Sequence, residues 1–410
     1  MDVILDRVCG MDVHRDTVKA CVRVPGTKQK RESHIATFGT MTEDLLALRD
    51  WLQGWGVKDV AMESTGEYWK PVYYVLEGAF SVRVVNAQHI KNVPGRKTDT
   101  QDSIWIAELL ECGLLRGSFV PPPEIRDLRD LTRYRKVLTQ QRTEEVQRLH
   151  GVLQKAGIKL SSVASSIMGV SGRAMMDMLV NGKTDVEALA NLARGKLRSK
   201  LPQLRKALEG HFSDHHRFLV AQMLAHIDYL EESLGEVSRQ IEEQIRPFAE
   251  QKQLLMSIPG VQDKVAEAIM AEIGLDMEQF PTDRNLISWA GLCPGNNQSA
   301  GKRKSGKTRK GDRWLRAFLT EAAWAAVRED DSYLAAQFHR LAPRKGKKKA
   351  IVAVASSLLQ AAYFILRERV SYRDLGRDFY VKRNQDAIRR RCIRQLQQLG
   401  YQVQLTEYAA

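Results

Sequence analysis

At 410 residues the chain exceeds one ordinary domain, so two or three are expected, and a hydrophobic content of 43% supplies real cores. A formal net charge of +14 points to a polyanionic partner, nucleic acid before an acidic membrane surface. Five scattered cysteines without a C-x-x-C spacing suggest neither a disulfide framework nor a zinc site, and suit a reducing cytoplasm; the first residues lack the pattern of a secretory signal.

Residues 1–123 alternate strand-like and helix-like runs. Strands are predicted near 7–13, 18–24 and 33–39, with a turn at Pro25-Gly26, then a helix over 42–54 and a strand closing at Glu63. A helix over 67–76, a strand over 82–85 and a loop over 89–96 follow. Three consecutive strands and then alternating helix and strand is the order of a ribonuclease-H-like α/β domain, ended by Pro121-Pro122-Pro123. The run Lys97-Thr98-Asp99-Thr100-Gln101-Asp102 opens an apolar helix and sets two carboxylates on one helical face. Asp12 and Glu63 close two apolar strands, where a charge must find a partner. Four acids from two strands and one helix would form an all-oxygen site suited to Mg2+ or Mn2+. Taken singly, Asp99 also reads as an N-cap and Asp102 as a first-turn acid.

Residues 124–250 are predicted to be helical. A charged helix runs to about Lys155, short helices fill 157–200, and after Pro202 apolar positions recur at Leu204, Leu208, Phe212, His215, Leu219, Met223, His226, Leu230, Leu234, Val237, Ile241, Ile245 and Phe248. The 4, 4, 3 spacing is an 11-residue period. About 40 residues of such a stripe make a coil on the order of 60 Å long. It reads as an oligomerisation seam, or alternatively as a hairpin with the 124–155 helix; His215 and His226 are expected to be buried and hydrogen-bonded.

In residues 251–410 the excess charge concentrates, with 28 Lys and Arg against 16 Asp and Glu from position 252 onward. Leu254 to Ile273 has a helix-hairpin-helix pattern about Pro259-Gly260, whose turn could present N–H groups to a phosphate or be an ordinary helical turn. The apolar stretch Ala350 to Leu366 contains Ser356, Ser357 and Gln360 and is expected to be a buried helix, not a membrane span. Between Gly291 and Gly311 lies a Gly- and Lys-rich loop. Its glycines let a phosphodiester approach, and Lys302, Arg303, Lys304, Lys307, Arg309 and Lys310, with Arg313 and Arg316 beyond, could neutralise it. A serine held there, such as Ser299, could attack phosphorus if cations stabilised its alkoxide, although the ordinary reading of such a loop is a solvated one with merely polar serines.

The combination resembles the DEDD-type transposases of bacterial insertion sequences in the one-ten family. The likeness rests on Gly10-Met11-Asp12-Val13-His14, Glu63-Ser64-Thr65-Gly66 and Lys97-Thr98-Asp99 with Asp102. It continues in Ser257-Ile258-Pro259-Gly260-Val261, Ala290-Gly291-Leu292-Cys293-Pro294, Gln298-Ser299 and Lys310-Gly311-Asp312 with Trp314-Leu315-Arg316. The resemblance implies a RuvC-like domain whose Asp12, Glu63, Asp99 and Asp102 hold magnesium, and a C-terminal domain whose Ser299 forms a phosphoserine link to DNA. It also implies a structured guide RNA from the element. Ala300 stands between Ser299 and Gly301, whereas Ser305 directly precedes Gly306, so Ser305 is the alternative nucleophile.

The expected architecture is therefore a RuvC-like domain (1–123), a helical coiled-coil region (124–250) and a mostly α C-terminal domain with a helix-hairpin-helix-like element (251–410). The expected function is an insertion-sequence recombinase acting on element ends and target DNA as a cytoplasmic, nucleoid-associated homo-oligomer, dimer or tetramer, without a membrane. The competing readings are a RuvC-like nuclease using metal-activated water and a non-catalytic nucleic-acid-binding protein.

Overall fold

The computed structural model describes residues 3–26, 30–63, 66–86, 102–295, 297–299, 302–308, 310–383 and 385–405, with backbone alone at 297–299, 303, 304 and 387. The chain divides into two units, Met1–Val120 and Pro121–Ala410.

In the first unit the order is β1 (Val8–Val13), β2 (Thr17–Pro25), β3 (Arg31–Gly39), α1 (Thr42–Gly54), β4 (Asp59–Glu63), α2 (Trp69–Leu76), β5 (Ser81–Val85) and α3 (Asp102–Glu111). The strands form one sheet in the order β3-β2-β1-β4-β5. β1, β2 and β3 pair antiparallel, while β4 runs parallel to both β1 and β5. This is the arrangement expected from the element order. Strand side chains alternate between faces, so Cys9, Met11, Val13, Val60 and Met62 join Leu45, Leu48 and Leu52 of α1 and Val72 and Leu76 of α2 in one core. Val8, Ala61 and Val85 point the other way and pack against Ile106, Ala107, Leu109 and Leu110 of α3.

Gly10 explains how closely α3 lies on the sheet. A Cβ there would stand 2.3 Å from both the Ala107 nitrogen and the Ser103 carbonyl oxygen. At the other end of α3, the Glu111 carbonyl accepts from the Ile4 and Leu5 nitrogens at 2.8 and 3.0 Å. Its buried carboxylate takes Arg23 and Arg31, both at 3.0 Å. The helix therefore runs antiparallel to β1.

In the second unit, α4 (Pro123–Lys155) leads through a 3-10 turn, α5 (Val170–Val180), α6 (Val186–Asn191), a second 3-10 turn and α7 (Leu201–Leu208) to α8 (Asp214–Ile245). After a further 3-10 turn come α9 (Ala249–Met256), α10 (Asp263–Ile273), α11 (Asp283–Trp289), the hairpin β6 (Asn297–Ser299) and β7 (Lys302–Ser305), and α12 (Arg313–Ala326). The unit continues with α13 (Tyr333–Lys345), α14 (Lys347–Glu368), α15 (Phe379–Arg383) and α16 (Gln385–Gln398).

The predicted continuous coil is two helices. The chain leaves helix at Glu209, and the His211 nitrogen donates to the Ala156 carbonyl at 2.8 Å. Ser213 then opens α8 through a capping box with His216. α8 packs along α4 as an antiparallel hairpin: Arg142 meets Glu231, and Leu149 and Leu153 share a core with Val220 and Leu224. The helix thus takes the intramolecular alternative, but its buried positions Val220, Leu224 and Ile227 lie one residue beyond the predicted Leu219, Met223 and His226. His215 and His226 are not buried as expected; the His226 ring is half-exposed with Nδ1 3.6 Å from Glu145.

α9 and α10 are joined by the tight turn at Pro259-Gly260. Gly260 has φ +79°, and a Cβ on it would stand 2.3 Å from the Ala322 carbonyl of α12. Its requirement for glycine is therefore met by helix packing inside the unit. Among the described residues α14 is long and apolar enough to cross a membrane by length and composition. It is instead the central core helix expected from its sequence, with Ile351, Val354, Leu358, Leu359 and Tyr363 buried against α9, α11, α12 and α13.

Candidate active site

Register and helix direction bring three of the four candidate acids to one end of one sheet face. The parallel pairing Met11↔Met62 carries forward to Asp12 and Glu63 at neighbouring strand ends. Both lie in the alternation that faces α3, with Val8 and Gly10 on β1 and Asp59 and Ala61 on β4. Because α3 runs antiparallel to β1 with Ser103 over Gly10, its first residue, Asp102, starts at the same end. Asp12 is 20% exposed and takes His14 Nε2 at 3.2 Å. Asp99 lies outside the described residues.

Carboxylate oxygens are the donor chemistry that a hard divalent ion requires. Among the described residues, however, no group of three or more His, Cys, Asp and Glu is gathered tightly enough to hold one. The fit is one of donor type and of fold position.

The loop after α11 is a built stem. Pro294 bridges to Thr308, the Gly295 nitrogen donates to the Lys307 carbonyl at 3.0 Å, and Ser299 pairs with Lys302 at the tip of the β6–β7 hairpin. The backbone of Gly311 packs against Ala290 and Gly291, closing the loop on itself. Ser305 is exposed, and its Oγ accepts from the Lys307 nitrogen at 3.1 Å, a local turn role. Lys302, Lys307, Lys310 and Arg313 are exposed. Arg316 is half-buried and donates to Thr308 Oγ1 at 3.0 Å, so it braces the stem. Arg309 lies outside the described residues, and of Arg303 and Lys304 only the backbone is described.

The support beneath this loop is not legible in the sequence. Asp312 caps α12, its Oδ1 accepting from the Trp314 and Leu315 nitrogens at 2.8 Å. Its Oδ2 accepts from Arg133 Nη2 at 3.2 Å. The same guanidinium donates twice, at 2.7 Å, to the carboxylate of Glu272 at the end of α10, which is 1% exposed. Arg129 donates to the Ala271 and Glu272 carbonyls at 3.0 and 2.7 Å. Burial pushes the Glu272 carboxyl up to about 7 against the lowering pull of Arg133. Only Glu272, an acid in the last turn of α10 among Ile269, Met270, Ala271 and Ile273, hints at a partner; Arg129 and Arg133 look like any solvated charges of α4.

Two family descriptions match this chain at the two places just described. A model of the IS110 DEDD class, described as Transposase, matches residues 9–158, and one described as Transposase IS116/IS110/IS902 family matches residues 252–339, together more than half of the chain. The chain belongs to the IS110 transposase family. It is accordingly a DNA transposase or recombinase. Among relatives, the transposase for insertion sequence element IS1111A of Coxiella burnetii is 23% identical over 383 residues, 90% of this chain and 91% of the relative. "Putative transposase y4rJ" of Sinorhizobium fredii is 30% identical over 267 residues, 62% of this chain and 59% of that protein. The first match begins in β1 and runs past the end of α4; the second begins in α9, takes in the serine hairpin and ends in α13.

Proposed function

We propose that this transposase cuts and rejoins DNA by transesterification, with Ser299 as nucleophile and with Asp12, Glu63, Asp99 and Asp102 as the ligands of Mg2+ or Mn2+. The observation that supports the reading is that strand register and helix direction set Asp12, Glu63 and the start of α3 toward one end of one sheet face. When bound, the metal would supply charge stabilisation at the phosphoryl oxygens and at the attacking and leaving oxygens. Ser299 Oγ forms a bond to phosphorus as the bond to one sugar oxygen breaks; the hydroxyl proton is given up and the leaving sugar oxygen takes one. The bond count is conserved, so the phosphoserine can be attacked in turn by a DNA hydroxyl. Exposed Lys302, Lys307, Lys310 and Arg313, with Arg303, Lys304 and Arg309 of the same loop, neutralise the phosphates, and Arg316 holds the stem beside them.

The family resemblance and the basic surface support a structured guide RNA as partner, action as a dimer or tetramer, and work at the nucleoid in the cytoplasm. Under the division proposed here, residues 1–123 carry the acids, 124–250 space the chain and 251–410 carry the serine. The test is strand cleavage of element-end DNA in the presence of the element's RNA and a Mg2+ titration. Asp12→Asn, Asp102→Asn and Ser299→Ala are each expected to abolish cleavage. Cleavage that survives Ser299→Ala but not Asp12→Asn would transfer the reading to a nuclease that activates water.

A further inference from the structure

The C-terminal arm lies beyond the segments matched by either family description, which end at residue 339. Seven Lys and Arg against two Asp occur between 377 and 394: Arg377, Lys382, Arg383, Arg389, Arg390, Arg391 and Arg394 against Asp378 and Asp386. Most of them sit on α16, whose main neighbour is the short α15. Every residue of α16 with a described side chain is exposed except Ile393, which is half-buried. A helix of this length without tertiary cover is marginal in water, so its stability calls for a partner.

The helix has two distinct sides. At about 100° per residue, Ile388, Cys392 and Leu396 fall on one side and Arg390 and Arg394 on the other, with Arg391 at the boundary beside Ile388. Arg389 is engaged with Asp386, and Arg390 Nε donates to the Asp386 carbonyl at 3.3 Å. Arg391 and Arg394 have no side-chain partner among the described residues. Arg391 also lines a cavity of ≈ 700 Å³ together with Arg340, Arg377, His339 and Tyr380. Within it Arg340 stands over the Tyr380 ring at 4.0 Å, and Tyr380 stacks on Tyr333 with centroids 5.4 Å apart. Arg340, Arg377 and Arg391 line the cavity with Tyr380, Val381, Ile388 and the acids Asp330 and Asp378, and Arg377 Nη1 stands 3.6 Å from Asp331. Forked guanidinium donors matched to phosphate, beside an aromatic face, are the chemistry of a nucleic-acid backbone site.

We propose that the arm formed by α15 and α16 is a second nucleic-acid-binding surface, separate from the serine loop, on which Arg390, Arg391 and Arg394 neutralise consecutive phosphates of one strand. The occupant is recognised by its phosphodiester backbone, which DNA and RNA share. The proposal needs only that the chain binds nucleic acid and does not depend on the serine chemistry.

The test measures binding of the full chain to duplex DNA and, separately, to single-stranded RNA of equal length, without divalent metal, across a salt series. Replacing all three arginines by glutamine should make the slope of log affinity against log salt shallower by about 2.7 on duplex DNA or about 2.1 on a single strand, the loss of three phosphate contacts. A change on one nucleic acid alone assigns the arm to that partner. The triple replacement by lysine keeps the charge and should keep the slope. Because these side chains are exposed, the glutamine variant should melt at the wild-type temperature. A glutamine variant that melts normally and retains the wild-type slope on both nucleic acids overturns the proposal, as does a lysine variant that loses the slope along with the glutamine one.

Discussion

In the first unit Asp12 and Glu63 ride on the ends of neighbouring parallel strands, and regular pairing alone fixes where they stand. In the second, the serine hairpin hangs between α11 and α12 and is tied down by Arg133, which is 139 residues from Glu272 and 179 from Asp312 in the chain. The first arrangement is built from backbone hydrogen bonds and apolar alternation. The second depends on a buried charge network in which each member holds another. Removing one side chain should therefore do little to the frame of the acids and a great deal to the frame of the serine.

The largest expected effect follows from that contrast. Arg133→Met leaves Glu272 and Asp312 without their shared guanidinium, and breaking a buried pair of this kind costs about 3–5 kcal/mol. Urea denaturation would measure it, and a loss under about 1 kcal/mol would erase the distinction between the units. In the first unit the sensitive point is steric. Gly10→Ala sets a methyl against Ser103 and Ala107 and should cost about 1–3 kcal/mol by overpacking. It should also lift α3 from the strand ends, so DNA cleavage should fall further than stability does. If cleavage by Gly10→Ala matches wild type, the position of α3 is not what organises the acids.

A pH series sharpens the second unit. Burial holds the Glu272 carboxyl at about 7 in the folded chain, above its ordinary value of 4.5. Between those values the folded state binds more protons than the unfolded one, so this group's contribution to stability is present at low pH and is lost as pH rises through about 7. Glu272→Gln cannot ionise and should lose less stability than wild type from about pH 5 to pH 8. Parallel curves for the two proteins would remove Glu272 from the network. Smallest of all, Arg142→Ala breaks a partly exposed pair with Glu231 on the α4–α8 hairpin and should cost about 0.2–1 kcal/mol. A larger loss in a thermal melt would mean that the hairpin carries strain that the exposed pair does not reveal.

The same contrast explains which parts of the fold and the site are legible in the amino-acid sequence. The strands of the first unit and the acids that close them can be read there because apolar alternation is a local signal that stops at a charge. The approach of α3 cannot, since it depends on Gly10 being bare beneath Ser103. The expectation of one continuous coil fails for a physical reason. The 11-residue spacing runs across residues 209–213 although the backbone does not, and in the first half of α8 the buried register is one residue further on: Val220, Leu224 and Ile227 join Leu204 and Leu208 in the core, while Leu219 and Met223 are half-buried and His226 is half-exposed. Gly210 and Ser213 are the breaker and the cap within the stripe. Of the Arg133 network only Glu272 leaves a trace, because an arginine in a charged helix shows its partner only once the chain is folded.

The central claim is that the acids of one unit and the serine of the other serve one reaction. A denaturing gel of the protein incubated with labelled element-end DNA, Mg2+ and the element's RNA tests it most directly, with wild type beside Ser299→Ala, Ser305→Ala and Asp12→Ala. The account predicts a protein–DNA adduct that survives denaturation in wild type and Ser305→Ala and is absent from both Ser299→Ala and Asp12→Ala. An adduct that persists in Ser299→Ala, or DNA cut in wild type with no adduct at all, would contradict it.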